Sequence, residues 1–284
     1  EKRGFYSFTT VMDEPTRTLI QAIHDSPPRA VFAAAGAGSR ALADQLAVPG
    51  ASRTLLEALI PYAADSFDEF LGQRPEQYVS AETGRLMAGR ALARAHHLRE
   101  LETFPLIGLG CTATIVTDRP KKGEHRAHVA AWTPGRLTAW MLHLEKGARD
   151  RAGEEDLVSR LILDALAEAC GIADRPPLPI GPGDTLSSES FDFNAAAEQL
   201  RRREITYFGI HADGRVADGR IATTDAHPQA ILSGSFNPLH AGHTGLAGTA
   251  AALLGMPVAF EVSAVNVDKP PLATDVLLDR MSQF

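Results

Sequence analysis

Cysteine is scarce, with only Cys111 and Cys170 in 284 residues. Two isolated thiols build neither a metal-ligand cluster nor a disulfide framework, so a reducing cytoplasm is the expected compartment. No window approaches the roughly 18 consecutive apolar residues of a membrane span, and nothing near Glu1 has the layout of a signal peptide. Positive charge is also short: 28 Lys and Arg stand against 35 Asp and Glu, for a net charge of -7. That balance gives no electrostatic pull toward nucleic acid or an anionic membrane, and neither is expected as a partner. No fixed-period repeat suggests a solenoid. An initiating methionine is missing, and Phe284 falls within an apparent helix, so a fragment of a longer polypeptide is expected.

What is present suits two globular domains, with hydrophobic residues at 44% and charged residues at 22%. The organising stretch is Gln229-Ala-Ile-Leu-Ser-Gly-Ser-Phe-Asn-Pro-Leu-His-Ala-Gly-His243. An apolar run stops at Ser233-Gly234-Ser235, Asn237-Pro238 turns the chain, and His240 and His243 open a small-residue helix. Unpaired N–H groups and the positive dipole end at a helix start attract an anion, and two imidazoles three residues apart would face it. A phosphate is the natural guest.

Upstream, residues 15–24 have helical spacing and Pro27-Pro28 ends them. Residues 29–35 read as a buried strand running into Gly36-Ala37-Gly38-Ser39 and a helix through Leu46. Two readings of these glycines stay open: a small-ligand pocket at the strand's end, or close packing of helix on sheet. Ser52 reads as a cap before helix formers from Leu55, and residues 81–95 as an amphipathic helix with arginines on its wet face. Residues 104–116 hold a second buried strand, residues 118–125 an exposed loop, residues 126–132 an alternating strand, and residues 137–144 another strand. A long helix over 154–169 is closed by Gly171. Lys121, Lys122 and Arg126 suit an anion site, although a solvated loop explains them as simply.

This alternation argues an α/β layered domain over 1–173. The Pro- and Gly-rich stretch at 175–183 places a linker over 174–190, and a second domain over 191–284. In that domain residues 194–203 read as a helix, 206–211 as a strand, and Asp213-Gly214 as a hairpin turn.

Leu42-Ala-Asp-Gln-Leu-Ala-Val-Pro-Gly-Ala-Ser52, Leu59-Ile-Pro-Tyr62 through Gly72, and Val79-Ser-Ala-Glu-Thr-Gly-Arg-Leu-Met-Ala88 resemble, in order, the nicotinamide-nucleotide amidase family. That family is also known as the C-terminal domain of competence-damage-inducible proteins. The resemblance implies a three-layer α/β/α fold and assembly into a homodimer or larger oligomer through this domain. Its nucleophilic serine belongs to an E-S-C-T-G-G turn, and registering on Val48-Pro-Gly-Ala-Ser52 puts Ala34-Ala35-Gly36-Ala37-Gly38-Ser39 there. Ala35 takes the nucleophile's place, and a methyl group cannot attack an amide. The family's Y-S-N-E-A-K segment becomes Tyr62-Ala-Ala-Asp-Ser-Phe67, so its lysine is Phe67. Ser39 and Ser66 stand several residues out of register as substitutes. The resemblance therefore implies a degenerate pocket around Ala35, Gly36, Gly38, Ser39 and Tyr62.

Gly234-Ser-Phe-Asn-Pro-Leu-His-Ala-Gly-His243 resembles the G-S-F-N-P-x-H-x-G-H signature of nicotinamide and nicotinate mononucleotide adenylyltransferases. The resemblance implies the N-terminal part of a Rossmann-like nucleotidylyltransferase domain. It implies His240 and His243 as catalytic residues, Gly234, Ser235, Phe236 and Asn237 around the ATP phosphates, and Mg2+ arriving with ATP. Ser263, Asn266, Asp268 and Lys269 are the candidates for the acceptor nucleotide's site, and Arg280 falls where the family often has a basic residue. The family's later strands and phosphate clamp lie beyond Phe284, so the domain is expected to be truncated. The function expected is AMP transfer from ATP to a mononucleotide beside a pseudoamidase. The alternatives are an inactive nucleotide-binding or regulatory module, and an amidohydrolase acting on nicotinamide mononucleotide.

Overall fold

The computed structural model describes residues 12–99, 104–119, 122–218, 230–265 and 270–284. Helix α1 (Glu14–Asp25) starts on an Asp13 cap and feeds strand β1 (Arg29–Ala35), helix α2 (Ser39–Ala47) and strand β2 (Leu55–Leu59). Helices α3 (Ala64–Leu71) and α4 (Ala81–Leu98) lead to the strands β3 (Leu106–Thr114), β4 (His125–Thr133) and β5 (Arg136–Leu144). Next come helix α5 (Arg151–Ala169), strand β6 (Thr185–Asp192) and helix α6 (Phe193–Arg201). The rest comprises strands β7 (Phe208–Ile210), β8 (Val216–Asp218) and β9 (Ile231–Gly234), helix α7 (Ala241–Leu254), strand β10 (Ala259–Val262) and helix α8 (Thr274–Met281).

Six strands form one sheet in the order β2-β1-β3-β4-β5-β6, with β2, β1 and β3 parallel and the remaining neighbours antiparallel. Because side chains alternate between faces, Ala30, Phe32 and Ala34 join one core with α1, α2 and α5, while Val31, Ala33 and Ala35 face the other side. That other side is covered by α3, α4, α6 and α8. The result is the expected three-layer α/β/α architecture. Helix α4 crosses β3 closely because Gly108 and Gly110 lie under it; a methyl group at Gly108 would overlap the Ala88 carbonyl.

Several expectations need correction. The run from Leu55 is strand β2, not a helix: pairing with β1 outweighs the weak helix preference of its leucines. Residues 126–132 do not alternate in burial, because helices cover both faces of β4 and Ala127, Val129 and Ala131 are as buried as Ala130 and Trp132. The arginines of α4 are not simply solvated. Arg85 pairs with Glu189 and with Asp213, and Arg94 with Glu57 at 2.7 Å.

The Pro-rich stretch has no regular structure through residue 184, yet it is pinned. Asp184, its carboxylate buried, accepts from the N–H groups of Glu145 and Gly181 and from the Arg149 guanidinium. From Thr185 the chain becomes β6, so the main sheet takes in the end of the stretch read as a linker. Strands β7 and β8 form the expected hairpin, with Gly214 at φ +83 in its turn. Strands β9 and β10 pair in parallel, with α7 between them in the chain. No described helix is long and apolar enough to cross a membrane.

Candidate functional site

The apolar strand β9 ends at Gly234, where an added methyl group would meet the ring of Phe236. Phe236 is buried and takes a left-handed backbone (φ +41), which turns the chain sharply before the cis Asn237–Pro238 bond. Its ring meets Phe260 of β10 and Phe284 edge-on at 5.4 Å and 5.2 Å, and His243 at 5.1 Å. One aromatic cluster thus fixes the loop between strand and helix.

His240 is the N-cap of α7, and the two histidines cap the helix reciprocally. The Gly242 N–H donates to His240 Nδ1 at 3.2 Å, and the His240 N–H donates to His243 Nδ1 at 3.3 Å. With both Nδ1 atoms accepting, each neutral ring carries its proton on Nε2. The rings stack with centroids 3.7 Å apart. Both Nε2–H donors are free of partners among the described residues, beside the positive end of a 14-residue helix. Ser235 and Asn237 are exposed on the same loop. The expected phosphate residues therefore do come together.

Nearby donors suit phosphate oxygen better than metal. Mg2+ takes oxygen ligands, and Glu261, on the strand beside this loop, is engaged by the Ser233 hydroxyl. Among the described residues no group of three or more His, Cys, Asp and Glu side chains could hold a metal ion. Of the acceptor candidates, Ser263 is exposed just after β10; Asn266, Asp268 and Lys269 lie outside the described residues. Arg280 reaches the loop, its Nη1 donating to the Ser235 carbonyl at 3.3 Å.

The turn between β1 and α2 has a different fate. Ala35 ends β1 and Gly36 follows at φ +88, where a side chain would overlap the Ala113 carbonyl. Gly38, the N-cap of α2, has no side-chain cap of its own. The carboxylate of Glu155 on α5 fills that role. It accepts from the N–H groups of Gly38 and Arg40 and from the Ser39 hydroxyl, each at 3.0 Å. The anion-attracting end of α2 is occupied by the chain itself. Sequence reasoning missed Glu155, whose partners lie 115–117 residues away.

No other nucleophile is poised there. Cys111 is buried behind the same turn, and burial, helped by the charge of Glu155, pushes its thiol far up, which keeps it unreactive. Ser66 lines an open groove with Ile60, Phe70, Arg90 and Arg94, and Tyr62 is exposed. Of the suggested anion-site cations, Arg126 donates to the Val79 carbonyl and Lys121 lies outside the described residues. Lys122 is on the exposed loop, where its carbonyl accepts from Lys146.

Ala35, Thr112, His128, Met141 and Ser187 stand in one row across the sheet. Buried His128 is held down to about 4, first by burial and then by the charges of Arg126, His143 and Arg85. The row sets a buried imidazole two strands from the methyl of Ala35, which has no hydroxyl to activate.

No known family's profile matches the chain, and no curated protein matches it in sequence. Among solved structures it is similar to the competence/damage inducible protein CihA from Agrobacterium tumefaciens. The TM-score is 0.43 at 15% identity, covering 58% of this chain and 100% of that one. It is also similar to a competence-damaged protein (CinA) superfamily protein from Escherichia coli. There the TM-score is 0.45 at 16% identity, covering 57% of this chain and 95% of that one.

Proposed function

We propose that the chain is a nucleotidylyltransferase-type protein that holds ATP at the start of α7 and transfers AMP to a mononucleotide. One observation carries the reading: the stacked His240–His243 pair at a helix start, with both Nδ1 atoms tied to backbone N–H groups and neither Nε2 partnered among the described residues. In such a transfer a phosphate oxygen of the acceptor attacks the α-phosphorus of ATP. The new P–O bond forms as the α–β bridging P–O bond breaks, and pyrophosphate leaves. Positioning and charge neutralisation supply most of the catalysis. The two imidazoles donate to phosphate oxygens as charge builds on them, and their reciprocal cap fixes the ring orientation in advance.

The amidase-like unit serves on this reading as a scaffold, since Ala35 cannot attack and Glu155 fills the anion position. The test is titration with MgATP, followed by an assay of pyrophosphate release with nicotinate or nicotinamide mononucleotide as acceptor. Replacing both histidines (His240→Ala with His243→Ala) should lower ATP affinity and release by at least tenfold. Undiminished binding and release in that double variant would overturn the site.

A further inference from the structure

Helix α8 touches both units, with different residues for each. Toward the first unit, Leu277 and Leu278 are buried in the core that α4 and α6 share with the main sheet. Asp279 is gripped by Arg99 at the end of α4 through two parallel bonds, Nη1 to Oδ1 at 2.9 Å and Nη2 to Oδ2 at 3.0 Å. Such a fork fixes direction as well as distance. The Ser282 hydroxyl donates to the Asp279 carbonyl at 3.0 Å, so its oxygen accepts from His96 Nε2 at 2.7 Å. At the helix's far end, Thr274 donates to Glu198 of α6 at 2.5 Å.

Toward the second unit, Arg280 in the last turn of α8 and Gln283 just after it hold the phosphate loop by its backbone. Arg280 donates to the Ser235 carbonyl. The Gln283 amide is bidentate: its nitrogen donates to the Phe236 carbonyl at 3.1 Å, and its oxygen accepts from the Leu239 N–H at 2.8 Å. Phe284 completes the aromatic cluster, 4.5 Å from Phe260. From Arg99 to His243 the path runs by contact to Asp279, along the backbone of α8 to Gln283 and Phe284, and by contact again to Phe236 and His243.

We infer that Arg99 and Asp279 are positioning residues for the phosphate loop: by anchoring α8 to α4, they set where Gln283 and Phe284 hold Phe236 and the two histidines. This rests on the function proposed above for its purpose, but not for its mechanics. Neither residue touches the loop. Their effect passes through α8, whose short span leaves Asp279 one residue from Arg280 and four from Gln283. A contiguous chain of contacts becomes a coupling only when measured as one.

The experiment uses the whole chain in three forms: native, Arg99→Gln, and the charge-reversed pair Arg99→Asp with Asp279→Arg. Amide hydrogen exchange is followed at Leu239 and at 243–244, with amides of β3 and α5 as internal controls. MgATP titration is run on the same samples. A half-exposed forked ion pair predicts roughly fivefold faster exchange of the loop amides in Arg99→Gln, with the controls unchanged and most of the effect reversed in the swapped pair. MgATP affinity should fall by a similar factor.

Loop amides that exchange at the native rate in Arg99→Gln would overturn the positioning role whatever ATP does. Equal acceleration in loop and controls would overturn it too, by showing general destabilisation. Failure of the native chain to bind MgATP would overturn the proposed function alone, and the exchange data would still decide the role of Arg99.

Discussion

Glu155→Ala removes a cap that α2 cannot supply for itself. Four groups lose their acceptor: the N–H groups of Gly38 and Arg40, and the hydroxyls of Ser39 and Ser159. Gly38 is buried, so water does not readily replace the carboxylate at its N–H. A helix cap is worth about 1–2 kcal/mol, and an orphaned buried donor costs about 1–3 kcal/mol. The two overlap and Ser39 is exposed, so the loss should be about 2–3 kcal/mol. For a cooperative unit of this size that lowers Tm by about 5–10 °C. Thermal and urea unfolding followed by circular dichroism would measure it. Glu155→Gln keeps one carbonyl oxygen and should lose about 1 kcal/mol.

The same variant carries a second, sharper expectation. Truncation leaves room at an anion-attracting helix start, so acetate in solution should stabilise Glu155→Ala and leave the native chain unmoved. At ten times its Kd the rescue amounts to about 1.4 kcal/mol. A Glu155→Ala chain that unfolds within about 0.5 kcal/mol of native and ignores acetate would refute the reasoning. It would mean that the turn between β1 and α2 satisfies itself without α5.

Gly36→Ala combines a left-handed backbone with overlap against the Ala113 carbonyl, so it should cost at least about 3 kcal/mol, read as loss of soluble chain or a collapsed urea midpoint. Asp13 is held at about 2, first by its Thr16 and Arg160 hydrogen bonds. Its depressed value gives stability present above its ordinary 3.8 and lost as pH falls toward 2; Asp13→Asn should flatten the urea midpoint over that window. His128 is held down to about 4, chiefly by burial, so the unfolded chain binds its proton first. Stability should rise with pH between about 4 and 6.5. His128→Gln should reduce that slope, as His96→Gln should for the other imidazole held at about 4 by burial.

What the sequence disclosed follows from how local each feature is. The His240–His243 pair closes within four residues, and its reciprocal cap needs only a helix start, so spacing alone pointed to it. Apolar runs placed β1 and β3, because a strand covered on both faces is apolar enough to stand out. Strand β2 was misread because its leucines suit a helix and only β1 beside it makes them a strand. Glu155, Arg99 and Asp184 were illegible for the same reason. Each is a charged residue whose simplest expectation is solvent, and each finds a partner 35 or more residues away.

Two features of the turn between β1 and α2 point one way. Ala35 ends the strand in a methyl group, and Glu155 satisfies the backbone donors that would otherwise hold an anion. Together they turn the strand–turn–helix into a structural joint, tied to α5 as firmly as a core element. The opposite face of the same sheet shows what the joint supports. There α4 ends in Arg99, α6 offers Glu198, and both grip α8, whose last residues hold Phe236. On the function proposed, the main sheet serves to aim two histidines that lie on another element.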